Sequence, residues 1–305
     1  MSETFMGVPA AEPGRVDARV ALLGAGMASP YRGQGAYAAR APAALRAAAG
    51  GWADLAGHVN FDLGRVGWEP GAVVDCGDLA LDPADGAGNR LRIRHAVSEV
   101  LGRGAVPVVL GGDCSVAVPV LQGFDGHGPV AVLQIDAHID WREQIEGERW
   151  GLSSAMRRVS EMGQVSAMVQ VGARGLGSAR PGDLAAARDW GARIVTAEAL
   201  AQEGIDAALA GLPDGVPVVV ALDVDVLDPA VMPAVMAPTA GGLAYREVLA
   251  LLRAVVARGP VAGLVMTELV PERDIDGQGV RLAAQLLTSA LGLLAGEDTP
   301  GTTKA

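Results

Sequence analysis

Several short stretches of this chain read as continuously apolar, where a half-exposed strand would be apolar at every second position: Val106 to Leu110 (VPVVL), Val130 to Ile135 (VAVLQI) and Val216 to Leu222 (VPVVVAL). A strand of this kind needs apolar cover on both faces, which a parallel sheet enclosed between two layers of helices provides. Further strand-like runs lie at Arg19 to Leu23, Val73 to Cys76, Met168 to Val171, Arg193 to Val195 and Val261 to Met266, about eight strands in all. Between them are Ala-, Leu- and Arg-rich segments with helical spacing at 41–52, 89–104, 181–192 and 245–259. Gly104, Gly191 and Gly259 stand where helices should stop before the next strand. The alternation predicts a single three-layer α/β/α domain over residues 17–296 with a central, mostly parallel sheet. Residues 1–16 read as an N-terminal extension and 297–305 as a C-terminal tail, both loosely held.

Composition narrows the partners. Half of the 305 residues are hydrophobic, ample for a core, but aromatic residues make up only 4% and offer few platforms on which bases could stack. A formal net charge of −11 argues against nucleic acid or an anionic membrane as partner and suits small cations. Cys76 and Cys114 are the only thiols, so there is no disulfide framework, and a reducing cytoplasm is expected. The N-terminus lacks a basic region followed by an apolar core, and no apolar run reaches the length of a membrane span, so a soluble cytoplasmic protein is expected.

The chemistry sits where the apolar runs end. LQIDAHIDW carries Asp136, His138 and Asp140, and VVVALDVDVLDP carries Asp223 and Asp225. In an extended chain, residues two and four apart share a side, so each cluster aims its donor atoms at one place. Four carboxylates and an imidazole converging in this way carry more negative charge than a core tolerates unpaired, which points to divalent metal. A single strand-end Asp would be an ordinary solvated loop residue; two such clusters are not. In a doubly wound sheet, ligands bind beyond the carboxyl ends of the strands, and GGDCS (111–115), DAHID, DVDVLDP and TELVPERD (267–274) all fall there.

Together these residues resemble the ureohydrolase family of arginases, agmatinases and related guanidino hydrolases. That family's pattern, GGDH, DAHxD, DxDxxDPxxxP and a late Glu, is matched here by Gly111 to Cys114, Asp136 to Asp140, Asp223 to Pro233 and Glu268. Gly241-Gly242-Leu243, Met156-Arg157-Arg158 and GQGAYAARAPAALR (33–46) are similar to the agmatinase-like branch, and the resemblance covers roughly residues 17–295. It implies two divalent ions, manganese or nickel, with hydroxide between them that attacks a guanidinium carbon to give urea and an amine. Asp136 and Asp223 would then be shared by both metals, His138 and Asp225 would complete one site, and Cys114 and Asp140 the other. By the same resemblance Asp140 moves the proton, Glu268 holds a small cationic guanidino substrate, and the protein is an oligomer, a trimer or hexamer.

Two positions depart from that pattern. Cys114 replaces a ligand histidine; a thiolate would shift preference toward nickel, zinc or cobalt, whereas a merely packed thiol would cost one metal. The usual catalytic histidine is also missing: alignment on Gly151 puts Trp150 in its place, and alignment on Met156 puts Leu152 there. His58, His95 and His127 lie outside this loop and read as surface or helix residues. Arg142, directly after DAHID, either grips a substrate carboxylate, implying a guanidino acid, or pairs with Glu143, Glu146 or Glu148. Trp141 and Trp150 either wall a pocket or pack. An agmatinase-like amidinohydrolase is the leading expectation; the alternative is a weakened ureohydrolase-fold subunit that assembles with an active paralogue.

Overall fold

The computed structural model describes residues 4–296, so the expected tail at 297–305 lies outside the described residues. The strands are β1 Val20–Ala25, β2 Val59–Asn60, β3 Arg65–Val66, β4 Val73–Asp78, β5 Val106–Gly111, β6 Val130–Ile135, β7 Val165–Ala173, β8 Arg193–Thr196, β9 Val218–Asp223 and β10 Val261–Thr267. Eight of them form one sheet in the order β4-β1-β5-β10-β9-β6-β7-β8, and every neighbouring pair is parallel. Each of the eight runs read from the sequence lies in this sheet. Only the antiparallel pair β2–β3, two residues long on each side, has no counterpart in the sequence reading.

Among the described residues, eight α-helices cover the sheet: α1 Ala41–Gly50, α2 Gly86–Gly102, α3 Ala117–Gln122, α4 Ala155–Ser160, α5 Pro181–Trp190, α6 Ala197–Leu209, α7 Tyr245–Arg258 and α8 Gln278–Ala295. α1, α6, α7 and α8 pack on one face with Val20, Leu22, Val218, Val220 and Leu222. α2 to α5 pack on the other with Ala21, Leu23, Val219 and Ala221. Successive residues of a strand thus enter two different cores, which is why the runs are unbroken, and each fully buried Val or Leu contributes roughly 1.5–3 kcal/mol. Gly191, in the left-handed region at φ 103°, caps α5, and Gly259 caps α7.

The order in which the chain fills the sheet makes the site. It runs from β1 out to β4, back to β5, across to β6, β7 and β8, and returns to fill the gap with β9 and β10. The carboxyl ends of β5, β10, β9 and β6 therefore lie side by side at the point where the winding reverses. Gly112, just past β5, sits so close to the loop after β1 that a Cβ on it would lie 1.9 Å from the carbonyl oxygen of Gly26. Only glycine fits there.

Residues 4–16 are not loosely held. Phe5, Met6 and Val8 are buried against the α1 face, and the Phe5 amide donates to Asp75 Oδ2 at 2.9 Å. Asp75, on β4, is held in turn by Arg46 of α1 through Nε at 2.7 Å and Nη2 at 2.9 Å. A three-residue apolar anchor has no periodicity to announce it. Arg46→Leu leaves the buried Asp75 carboxylate unpaired, and breaking such a pair costs about 3–5 kcal/mol. Denaturant titration is expected to show that loss, with earlier proteolysis of the N-terminal segment; an unchanged midpoint would remove the anchor.

Candidate metal centre

Past β6, Asp136 accepts from the His138 amide through Oδ1 at 2.6 Å, which folds the loop back on itself. At the end of β9, Asp223 Oδ1 accepts from the Asp225 amide at 2.7 Å in the same way. The two loops touch where the Ala137 amide donates to Asp225 Oδ1 at 3.2 Å. The His138 imidazole then lies with Nδ1 at 3.0 Å from Asp225 Oδ2 and 3.4 Å from Asp136 Oδ1. From the turn after β5, Cys114 Sγ donates to Asp223 Oδ2 at 2.9 Å.

Donor atoms of Cys114, Asp136 and Asp223 lie within 4.8 Å of one another, and so do those of Asp136, His138 and Asp225. Asp136 belongs to both groups and Asp223 to the first. Asp140 lines the same cavity but falls outside both; its Oδ2 lies 3.4 Å from Gln134 Nε2. Asp140 (φ 52°) and Glu268 (φ 67°) both hold left-handed backbone without being glycine. Strain of this kind persists where surrounding structure over-determines it, and it concentrates at functional sites.

Asp136, Asp140, Asp223 and Asp225 are between 2% and 7% exposed. Burial first, and then mutual repulsion, pushes Asp136 up to about 6 and holds Asp140 and Asp223 well above the usual carboxylate range. Burial and the same carboxylates raise the Cys114 thiol. Burial alone would lower His138, but its hydrogen bonds to Asp136 and Asp225 and their charge outweigh that and push it up to about 11. Among the described residues, that imidazole is the only side chain ion-paired with any of the four carboxyl groups, and it reaches two of them, Asp136 and Asp225. One imidazolium does not balance four carboxylates. A mixed oxygen, nitrogen and sulfur set with this deficit of positive charge fits divalent cations.

Glu268 stands across the cavity. Its Oε1 accepts from the Cys114 amide at 3.0 Å and from Tyr37 OH at 2.8 Å, and its Oε2 lies 2.7 Å from the same hydroxyl. Burial and the charge of Asp113 push it up to about 8, against the pull of the Tyr37 hydrogen bond. The cavity, of about 220 Å³, is lined by Cys114, His138, Asp140, Asp223, Asp225 and Glu268, with Tyr37, Arg142, Leu152 and Ser153 among the other residues of its wall.

Of the two residues that could stand in for the missing histidine, Leu152 faces the cavity. Trp150 does not line it, correcting that expectation: its ring packs under the Arg90 guanidinium, 4.8 Å from the centroid. Trp141 is packed as well, against Trp190 with ring centroids 6.2 Å apart. His58, His95 and His127 are exposed. Arg142 makes no ion pair among the described residues, because Glu143 is taken by Arg149 at 2.8 Å and Arg157 at 2.7 Å.

The arginase family model matches residues 18–292. The chain belongs to the arginase family. It is 34% identical to proclavaminate amidinohydrolase of Streptomyces clavuligerus over 295 residues, 93% of this chain and 90% of that protein. The solved structure of that enzyme superposes with a TM-score of 0.79, covering 97% of each chain. Formimidoylglutamase of Halobacterium salinarum is 36% identical over 304 residues, 95% and 93% of the two chains. The human mitochondrial guanidino acid hydrolase is 30% identical over 243 residues, 78% of this chain and 68% of that one. Like other arginase-family proteins, this one is a ureohydrolase acting on C–N bonds of guanidino compounds.

Sequence reasoning missed several contributors. Tyr37 comes from the loop after β1, and nothing in that loop marks it as facing Glu268, just past β10. Arg174 pins the metal loop from behind, its Nη2 donating to the carbonyl oxygens of Asp225 at 2.9 Å and Thr239 at 2.8 Å. Gln134 and Gln170 did carry a signal: each is a polar residue inside an apolar strand. The position of Cys114 generates a prediction of metal preference. The wild type should favour zinc, cobalt or nickel over manganese more strongly than Cys114→His does, as read by competition binding. Equal preference in the two proteins would leave the thiol outside the coordination sphere.

Proposed function

We propose that this protein is a metal-dependent amidinohydrolase that cleaves a small guanidino acid to urea and an amino acid. The observation that carries the reading is the pairing of opposites along one cavity, with the buried Glu268 carboxylate on one side and the unpaired Arg142 guanidinium on another. Glu268 suits a planar, cationic guanidinium, which a carboxylate grips through two parallel hydrogen bonds. Arg142 offers the same fork to a carboxylate at the other end of the substrate. Agmatine carries a second cation where such an acid carries its carboxylate, and that cation would meet Arg142 with like charge. The expectation of agmatinase-like specificity therefore gives way to an acid, and one relative is itself named a guanidino acid hydrolase.

Cys114, Asp136, His138, Asp140, Asp223 and Asp225 are the residues proposed to hold two divalent ions. Such a pair, when bound, supplies Lewis acidity and a water ionised near neutral pH. The chain's own residues do the rest. Glu268 fixes the guanidinium carbon, and the carboxyl of Asp140, on the same cavity wall, carries the proton. A bond forms from water oxygen to the guanidinium carbon, the bond from that carbon to the substituted nitrogen breaks, and Asp140 returns a proton to the leaving nitrogen. Leu152 closes the wall without adding a titratable group. No observation in the cavity favours a weakened subunit that depends on a paralogue.

Urea release by the purified chain, compared between guanidino acids of three to five carbons and agmatine, tests this. Glu268→Gln should abolish most turnover while metal content is kept. Arg142→Ala should lower kcat/KM for the acids by about 10–100-fold, as expected for hydrogen bonds to charged groups worth about 1.5–3 kcal/mol, and leave agmatine unaffected or improved. Agmatine being the better wild-type substrate would overturn the acid specificity, and no urea from any guanidino compound would overturn the reaction.

A further inference from the structure

We infer that Gln134 is a positioning residue that orients the carboxyl groups of Asp136 and Asp140, and that its own orientation is imposed from Trp141 through Gln170. β6 and β7 place Gln134 and Gln170 side by side in register, and each is 1% exposed. Trp141 Nε1 donates to Gln170 Oε1 at 2.9 Å. An indole N–H is a donor and nothing else, so the oxygen of Gln170 must face Trp141 and its nitrogen must face away. That nitrogen donates to the carbonyl oxygen of Ile139 at 2.8 Å and to Gln134 Oε1. The carbonyl of Ile139 is an acceptor only, which fixes the same choice a second time.

With its oxygen taken by Gln170, Gln134 turns its own nitrogen toward the metal loop. It donates to Asp136 Oδ2 at 2.6 Å and lies 3.4 Å from Asp140 Oδ2. Every bond in the row runs one way, from indole to carboxylates, and reversing the amide of Gln134 would set its oxygen against two carboxyl groups. The residue type matters as much as the direction. A glutamate here would add a carboxylate to a cluster already short of positive charge, and a lysine would supply a fixed cation in competition with metal. A neutral amide supports two carboxyl groups without entering the charge balance. It also occupies the Oδ2 atoms and leaves Asp140 Oδ1 with no protein hydrogen bond.

Because Ile139 and Trp141 flank Asp140, the row also ties the loop to the sheet on both sides of its left-handed residue. The inference rests on the proposed metal centre, and the test separates the two. Chelator-treated wild type, Gln134→Leu, Gln134→His and Trp141→Phe are titrated with Mn²⁺ by calorimetry and chelator competition, and kcat and KM are measured on the best guanidino acid. Gln134→Leu is expected to bind Mn²⁺ about 10–100-fold more weakly, the usual effect of losing a partner behind a metal ligand, with the loss in kcat and not in KM. Gln134→His keeps an acceptor for Gln170 and an N–H for the carboxyl groups, and should recover most of the affinity. Trp141→Phe keeps an aromatic ring but removes the directing N–H together with the rest of the five-membered ring, and should lose about 10-fold; it carries the test should Gln134→Leu fail to fold. Two ions bound by the wild type with unchanged affinity in Gln134→Leu and Trp141→Phe, or a Gln134→His variant as defective as Gln134→Leu, would overturn the role of Gln134 alone. A wild type that takes up no divalent ion would overturn the metal centre together with it.

Discussion

Four carboxyl groups buried within reach of one another are the constraint on which the rest of this molecule depends. Left to themselves, they hold protons that ordinary carboxylates would have lost, as the raised values of Asp136, Asp140 and Asp223 show. Every neighbouring device limits that repulsion without neutralising it. Backbone amides of Ala137, His138 and Asp225 donate to carboxylate oxygens, the His138 imidazole lies between two of the four, and Gln134 adds a neutral donor. Arg174, which carries a full positive charge, spends it on backbone carbonyl oxygens behind the loop. The protein leaves the positive charge to be supplied from outside, which is the electrostatic signature of a cation site.

Such a cluster needs a scaffold stable enough to carry it. The strands that end at the site are buried on both faces, and the two cores lie on opposite sides of one sheet. Rigidity at the ends of β5, β10, β9 and β6 also allows Asp140 and Glu268 to hold backbone conformations that side chains other than glycine rarely adopt. Gly112 shows the same economy of space from the other direction: the turn bearing Cys114 and the loop bearing Tyr37 meet backbone to backbone. Tyr37 thereby reaches Glu268, and the proposed guanidinium anchor is set by a residue from the opposite end of the chain.

What was legible in the sequence follows from how local each signal is. Short runs rich in β-branched and other apolar residues marked all eight strands of the main sheet, most plainly in the central strands, where two-sided burial is written into each strand separately. The metal-ligand candidates were legible for the same reason, since Asp136, His138 and Asp140, and Asp223 and Asp225, are spaced within single loops. The illegible parts are contacts between loops. Arg142 has acidic neighbours in sequence, yet Glu143 is captured by arginines from the following loop and helix, so proximity along the chain predicted a pairing that the fold does not make. Phe5 and its neighbours carry no periodicity, and only the far partner Asp75 explains their burial. Trp150 and Leu152 could not be told apart by spacing, because the loop offers two registers two residues apart.

The choice of Leu152 over Trp150 has a chemical consequence. A cavity wall with leucine where relatives of this pattern place an imidazole has one fewer group able to exchange protons near neutral pH, and none of the exposed histidines is placed to replace it. In the proposed reaction, proton transfer then falls on groups already at the cluster, and Asp140 is the carboxyl group there with an oxygen, Oδ1, free of protein hydrogen bonds. That places a double demand on one carboxyl group, which must face the metal and also serve the leaving nitrogen. Its left-handed backbone, the amides of Met156 and Arg157 on its carbonyl oxygen at 3.1 and 3.2 Å, and the row from Trp141 to Gln134 all act to hold it. On the proposed mechanism, the residues that make up for an absent imidazole would thus lie behind Asp140, and not at Leu152.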